Sequence, residues 1–149
     1  MRKATEEWLA SARDDLETID ELIDNRQLTH VVAFHTQQCV EKCLKALLEE
    51  REHDVPNIHN LITLLGRLEA ESVEAMDEDL LERLNQLYIE ARYPGERGLL
   101  PEGKPSIAEA ERFQKFASPC TTVFNRISSR KKNKDNRSSL RSRMLHFTR

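Results

Sequence analysis

Glycine and proline are scarce in this 149-residue chain, at four and five residues, and aromatic side chains make up only 5% of it. Sheet proteins draw on aromatic and β-branched residues and punctuate their strands with turn residues, so the composition argues against an all-β fold. No run approaches the roughly 20 apolar residues that a membrane span requires. The opening MRKATEEWLASARDDLE turns acidic before a signal-peptide core can form. The three cysteines are odd in number, and Cys39 and Cys43 lie one helical turn apart in an apolar pattern, which suits reduced core thiols rather than a disulfide framework. These absences predict a cytoplasmic protein in a reducing compartment, without membrane contact. No P-loop, Rossmann glycine pattern or G-x-S-x-G elbow occurs, so the common nucleotide-enzyme and hydrolase signatures are excluded and no cofactor is assigned.

What is abundant is Leu, Ala, Glu and Arg, the residues of helices. The length suits one domain with an appendage, read as a helical domain over 1–128 and a tail over 129–149. The formal net charge of −3 conceals a division. The tail holds eight Lys and Arg against Asp135 alone, +7, which leaves −10 for residues 1–128. An acidic body excludes a sequence-independent grip on duplex nucleic acid through the folded domain, because such grip comes from Lys and Arg displacing counterions. The tail, rich in Ser, Asn and charge with no apolar stripe, is expected to be disordered, and its basic run would attract nucleic acid or an acidic partner if it has a task.

Apolar residues at helical spacing predict five helices, and hence an all-α, up-and-down bundle of four to five helices. The first covers 5–24, with Trp8, Leu9, Ala12, Leu16, Ile19, Leu22 and Ile23 on one stripe and Thr5 as its cap. The second covers 29–50, capped by Thr29, with Val32, Cys39, Val40, Cys43, Leu44, Ala46 and Leu47 on one side. A brief third covers 58–71 with Asn57 as cap and Gly66 as a weak point. The fourth opens near Asp77, carries Leu80, Leu81, Leu84, Leu87, Tyr88 and Ala91, and is stopped by Pro94 and Gly95. The fifth opens at Ser106, which with Glu109 forms a capping box, and runs to Ile127.

On a helical wheel the second helix has another face, made of Phe34, Gln38, Glu41, Lys42 and Lys45, turned from the core stripe. An aromatic among polar groups on such a face marks a partner or ligand surface, or else a solvated flank stiffened by Gln38–Lys42 and Glu41–Lys45 pairs. Arg92 stands at the end of the fourth helix, before a Pro/Gly loop, where a guanidinium can grip phosphate while Tyr88 or Tyr93 stacks on a base, or can merely cap carbonyls. His35, Cys39 and Cys43 have the i, i+4, i+8 spacing of ligands on one helix face, but three successive turns of one helix wrap a tetrahedral ion poorly, so no metal is assigned. His59, just inside the third helix, reads as a local capping or packing residue.

The segment Phe34-His35-Thr36-Gln37-Gln38-Cys39-Val40-Glu41-Lys42-Cys43-Leu44-Lys45-Ala46-Leu47 resembles the F-x-x-Q-Q-x-x-E-K-x-L-K-A-L signature of HEPN proteins. Trp8 with Ala12 and Asp15-Leu16, the His59-Asn60-Leu61 entry to the third helix, and Arg92-Tyr93-Pro94 agree with it, so the similarity spans about residues 5–128. The resemblance implies an up-and-down bundle, a homodimer, and a place in a toxin–antitoxin-like pair with a small nucleotidyltransferase. It also implies nucleotide or RNA as ligand, with Lys42, Lys45, Arg92 and Tyr93 as the binding residues and Phe34, Gln38 and Glu41 as the dimer or partner face. The ribonuclease branch of the family uses an Arg followed four to six residues later by His. Here no His follows Arg92 before His146, so no catalytic residue is assigned and binding without turnover is the reading. The alternatives are a metal-independent endoribonuclease with a non-standard site around Arg92, Tyr93 and His59, and a purely structural helical adaptor.

Overall fold

The two longest described helices pair with each other. In a computed structural model that describes residues 1–68, 76–90 and 103–118, α1 (Lys3–Leu22) and α2 (Thr29–Glu50) form an antiparallel hairpin. Its tight connection is closed by the Asn25 side chain, which accepts from the Gln27 amide at 3.0 Å. At the open end the Arg2 amide donates to Glu50 Oε2 and its guanidinium to the Glu49 carbonyl, fastening the start of α1 to the end of α2. Three shorter helices follow: α3 (Leu61–Gly66), α4 (Glu78–Glu90) and α5 (Ile107–Ala117). There is no strand among the described residues, and none of their helices is long and apolar enough to cross a membrane.

Helix α2 packs against every other described helix, so it is buried on two sides. On one, Ala33, Val40, Leu44 and Leu48 meet leucines of α3 and α4 and the fully enclosed Phe113 of α5. On the other, Val32, Cys39, Cys43 and Ala46 meet Leu9, Ala12 and Ile19 of α1 and Ala110 and Ala117 of α5. Cys39 and Cys43 are buried, as their place on the stripe predicts.

The bounds of α2 and the start of α5, where Ser106 Oγ accepts from the Glu109 amide at 3.0 Å, agree with the sequence reading. Asp77 also opens α4 as expected, its carboxylate accepting from the Leu80 amide. Three caps differ. Thr5 lies within α1 and Thr29 is the first residue of α2, both buried, so neither hydroxyl caps its helix. Helix α3 starts at Leu61 rather than 58, because Asn60, not Asn57, accepts from the Thr63 amide. It ends at Gly66, where the sequence is weakest, rather than at 71. The loop around Pro94, the continuation of α5 beyond 118 and the tail 129–149 lie outside the described residues.

Just beyond α2 the chain turns through Glu52, at φ 59°, while the His53 amide donates back to the Leu48 carbonyl. This is the left-handed closure that glycine fits best. Its carboxylate, 82% exposed, adds only a surface pair with Arg2 at 3.6 Å. Glu52→Gly is therefore expected to raise stability by about 0.5–1 kcal/mol, read by denaturant unfolding.

His30, near the start of α2, has its Nδ1 enclosed and without a hydrogen-bond partner among the described residues. Lys104, ahead of α5, reaches over to donate to the Gln27 carbonyl at 2.8 Å. Burial, and then the Lys104 charge, hold the His30 pKa below its ordinary 6.5. The unfolded chain thus takes up this proton first as pH falls, so the stability contributed by neutral His30 is full above 6.5 and is lost on acidification. From about pH 7.5 to about pH 5 the thermal midpoint should fall further in the native chain than in His30→Gln; parallel curves would refute this.

Candidate functional site

Along the inner side of α1, Asp15 falls in the apolar stripe between Ala12 and Ile19, so the fold carries its carboxylate into the α1–α2 seam, where the residue is 6% exposed. Two side chains of α2 meet it there. Lys42 Nζ donates to one carboxylate oxygen at 2.6 Å, and His35 Nδ1 lies 2.9 Å from the other. A carboxylate only accepts, so the Nδ1 atom carries the proton.

The same arrangement recurs further along α2. Glu41, 5% exposed, accepts from Lys45 Nζ at 2.8 Å, from Gln37 Nε2 at 3.1 Å and from His59 Nδ1 at 3.1 Å. Lys45 lies over the Trp8 ring, 5.4 Å from its centroid, which adds a cation–π contact. Gln37, wholly buried, also donates to the His59 carbonyl at 2.9 Å and accepts from Gln38 Nε2 at 2.7 Å, so it clamps the histidine and its carboxylate together. Asn60 and Asn85 fix the backbone that carries His59: Asn85 accepts from the Leu61 amide and donates to Asn60 Oδ1, joining the head of α3 to α4. Each constellation therefore consists of a buried carboxylate, a lysine and an imidazole held through Nδ1.

A row of aromatic rings connects the two. Phe34 packs edge-on to His35 with centroids 5.4 Å apart, stacks on Tyr88 at 5.6 Å, and Tyr88 in turn meets His59 at 5.7 Å. Phe34 is half-buried, Tyr88 buried, and the side chains of His35 and His59 are 26% and 46% exposed. The imidazoles thus stand at the two ends of the row, their Nε2 atoms on the ring edge away from the carboxylates.

These contacts correct the wheel-based placement of Glu41 and Lys45 on a face turned from the core. Both are buried. Because α2 is covered on two sides, what looks like an outer stripe faces neighbouring helices, and the charges are tolerated because they pair. Phe34, Gln38 and Lys42 are half-buried beside them. Arg92 and Tyr93, two and three residues past the end of α4, lie outside the described residues. Sequence reasoning gives no site role to Asp15 or Gln37, and reads His35 only as a poor metal ligand; for Asp15 the signal is present, an acid at a core position of an otherwise apolar stripe. Among the described residues no group of three or more His, Cys, Asp or Glu is placed to hold a metal ion.

Removing one member of a buried ion pair strands the other. Lys45→Met is expected to cost about 3 kcal/mol in denaturant unfolding, and adding Glu41→Gln should recover a good part of that loss. A double variant as unstable as the sum of the two singles would mean that the pair is not coupled.

The model of the HEPN domain matches residues 5–122 of the chain. Among solved structures, TT1696 from Thermus thermophilus is similar with a TM-score of 0.64 and 22% identity, over 85% of this chain and 99% of that one. ST0689, described as an archaeal HEPN homologue, is similar with a TM-score of 0.57 and 22% identity, again over 85% and 99% of the two chains. At that identity both likenesses concern the fold. A comparison with curated proteins gave no match.

Proposed function

The chain belongs to the HEPN domain family, and from that premise we propose that it is a cytoplasmic, homodimeric module that binds nucleotide or RNA as one half of a toxin–antitoxin-like pair with a nucleotidyltransferase. The observation that supports binding is the doubled carboxylate–imidazole arrangement at the two ends of a ring row, since a histidine oriented through Nδ1 offers a fixed Nε2 to a ligand. Lys42, Arg92 and Tyr93 remain binding candidates in this reading, with Lys45 contributing by holding Glu41. Phe34 and Gln38, half-buried at the same place, are the candidate dimer or partner contacts, together with Ile89, which is 59% exposed on α4.

A second reading is favoured by one feature of the same site. His59, backed by Glu41, has the geometry of a general base, so a metal-independent endoribonuclease that uses His59 with Arg92 and Tyr93 is the rival.

Incubating the purified protein with labelled single-stranded RNA, and separately with ATP and GTP, measures binding and cleavage together. Binding without turnover is expected, weakened about tenfold by Arg92→Ala. Metal-independent cleavage that disappears in Arg92→Ala or His59→Ala would replace this reading with the rival. Absence of binding to all three, with assembly lost in Phe34→Asp, would leave a structural adaptor.

A further inference from the structure

The turn that closes α2 and the end of α3 border a common cleft of about 420 Å³, at the small end of the range of ligand pockets. Its lining is Leu48, Glu52, His53, Asp54 and Arg67, and none of these belongs to the two carboxylate–imidazole constellations. Leu48 is buried, whereas the other four are exposed to solvent. Both borders have a hydrogen-bonded backbone. The Glu52 and His53 amides donate to the Glu49 and Leu48 carbonyls at 3.0 Å, and Arg67 closes α3 with its amide on the Leu64 carbonyl at 3.2 Å.

Charge in this cleft is balanced but not paired. Glu52 is engaged by Arg2 at 3.6 Å. That leaves one carboxylate, Asp54, and one guanidinium, Arg67. Among the described residues neither side chain has a hydrogen bond or an ion pair, with the other or with any third group. The His53 imidazole likewise has no partner among the described residues. Opposite charges that line one cleft without meeting are matched by a small molecule that carries both signs.

Simpler ligands complement the lining less well. A phosphate would meet two carboxylates for one guanidinium, and a divalent cation would find a single uncommitted carboxylate beside a guanidinium. An apolar molecule would have only Leu48 to pack against. An α-amino acid offers a carboxylate to the fork of Arg67 and an ammonium with three donors to Asp54, while His53 has a donor and an acceptor to turn to either group. The carbonyl end of the 22-residue α2 adds negative potential on the Asp54 side, where the ammonium would lie.

We infer that this cleft binds a free α-amino acid, with its carboxylate on Arg67 and its ammonium on Asp54. The inference is independent of the nucleotide-or-RNA reading, since the two sites share no residue.

Isothermal titration of the full chain tests it, with each standard L-amino acid, with the same compounds amidated at the carboxyl or acetylated at the nitrogen, and with inorganic phosphate. At least one free amino acid is expected to bind with a Kd of about 0.1–1 mM. Either blocked form of that compound should bind about tenfold more weakly, because it lacks one of the two charges. Arg67→Gln and Asp54→Asn should each weaken the free compound by a similar factor of about ten, with the thermal midpoint unchanged, because both positions are exposed. No binding of any free amino acid at about 10 mM would overturn the inference. So would a blocked form or inorganic phosphate that binds as tightly as the free compound, or a Kd that stays native in either variant.

Discussion

Two carboxylates have been taken out of water, and much else in the structure follows from the need to compensate them. An ionised group of that size loses several kcal/mol of hydration on burial, recovered only if opposite charge and hydrogen-bond donors converge on it. Asp15 obtains them from Lys42 and His35, and Glu41 from Lys45, Gln37 and His59. Meeting that demand ties α2 to α1 through Asp15, ties the segment ahead of α3 to α2 through Glu41, and holds each imidazole through Nδ1. The apolar stripes bring the same helices together, but they do not set the orientation of the imidazoles.

The apolar part of the fold was legible because it is periodic. The 22 residues of α2, the Ser106 cap of α5 and the Asp77 start of α4 follow from stripe and cap chemistry that a sequence displays directly. The position of α3 did not, since Asn57 and Asn60 are both able to cap and the choice is made by Asn85, 25 residues from Asn60. Nor did the burial of Glu41 and Lys45. A wheel treats a helix as having one inside and one outside, and α2 has neighbours on both. Their polarity reads as exposure until the second set of partners is in place. Asp15 carried a sign in the opposite direction, a charge where the stripe called for a leucine, and that sign indicates a buried partner even when the partner is 27 residues away.

Family membership and site chemistry answer different questions here. The bundle is shared with TT1696 and ST0689 at 22% identity, which speaks for the course of the helices and not for what binds between them. The functional argument therefore stands on the two oriented histidines and the rings joining them. The same contacts explain why a signature with two glutamines, a glutamate and two lysines sits on one helix: Gln37, Gln38, Glu41 and Lys45 are successive links of one hydrogen-bonded chain, and Lys42 closes the second constellation.

Helix α3 has only six residues, too few to persist by its own hydrogen bonds. Its order is borrowed from α4 through Asn85 and from α2 through Leu61 and Leu64. Undocking of that short segment would carry His59 off Glu41 while the α1–α2 hairpin, fastened at both ends, kept His35 on Asp15. The two halves of the site would then come apart at different rates, with one histidine serving as a fixed post and the other as a latch whose lifetime is that of a six-residue helix.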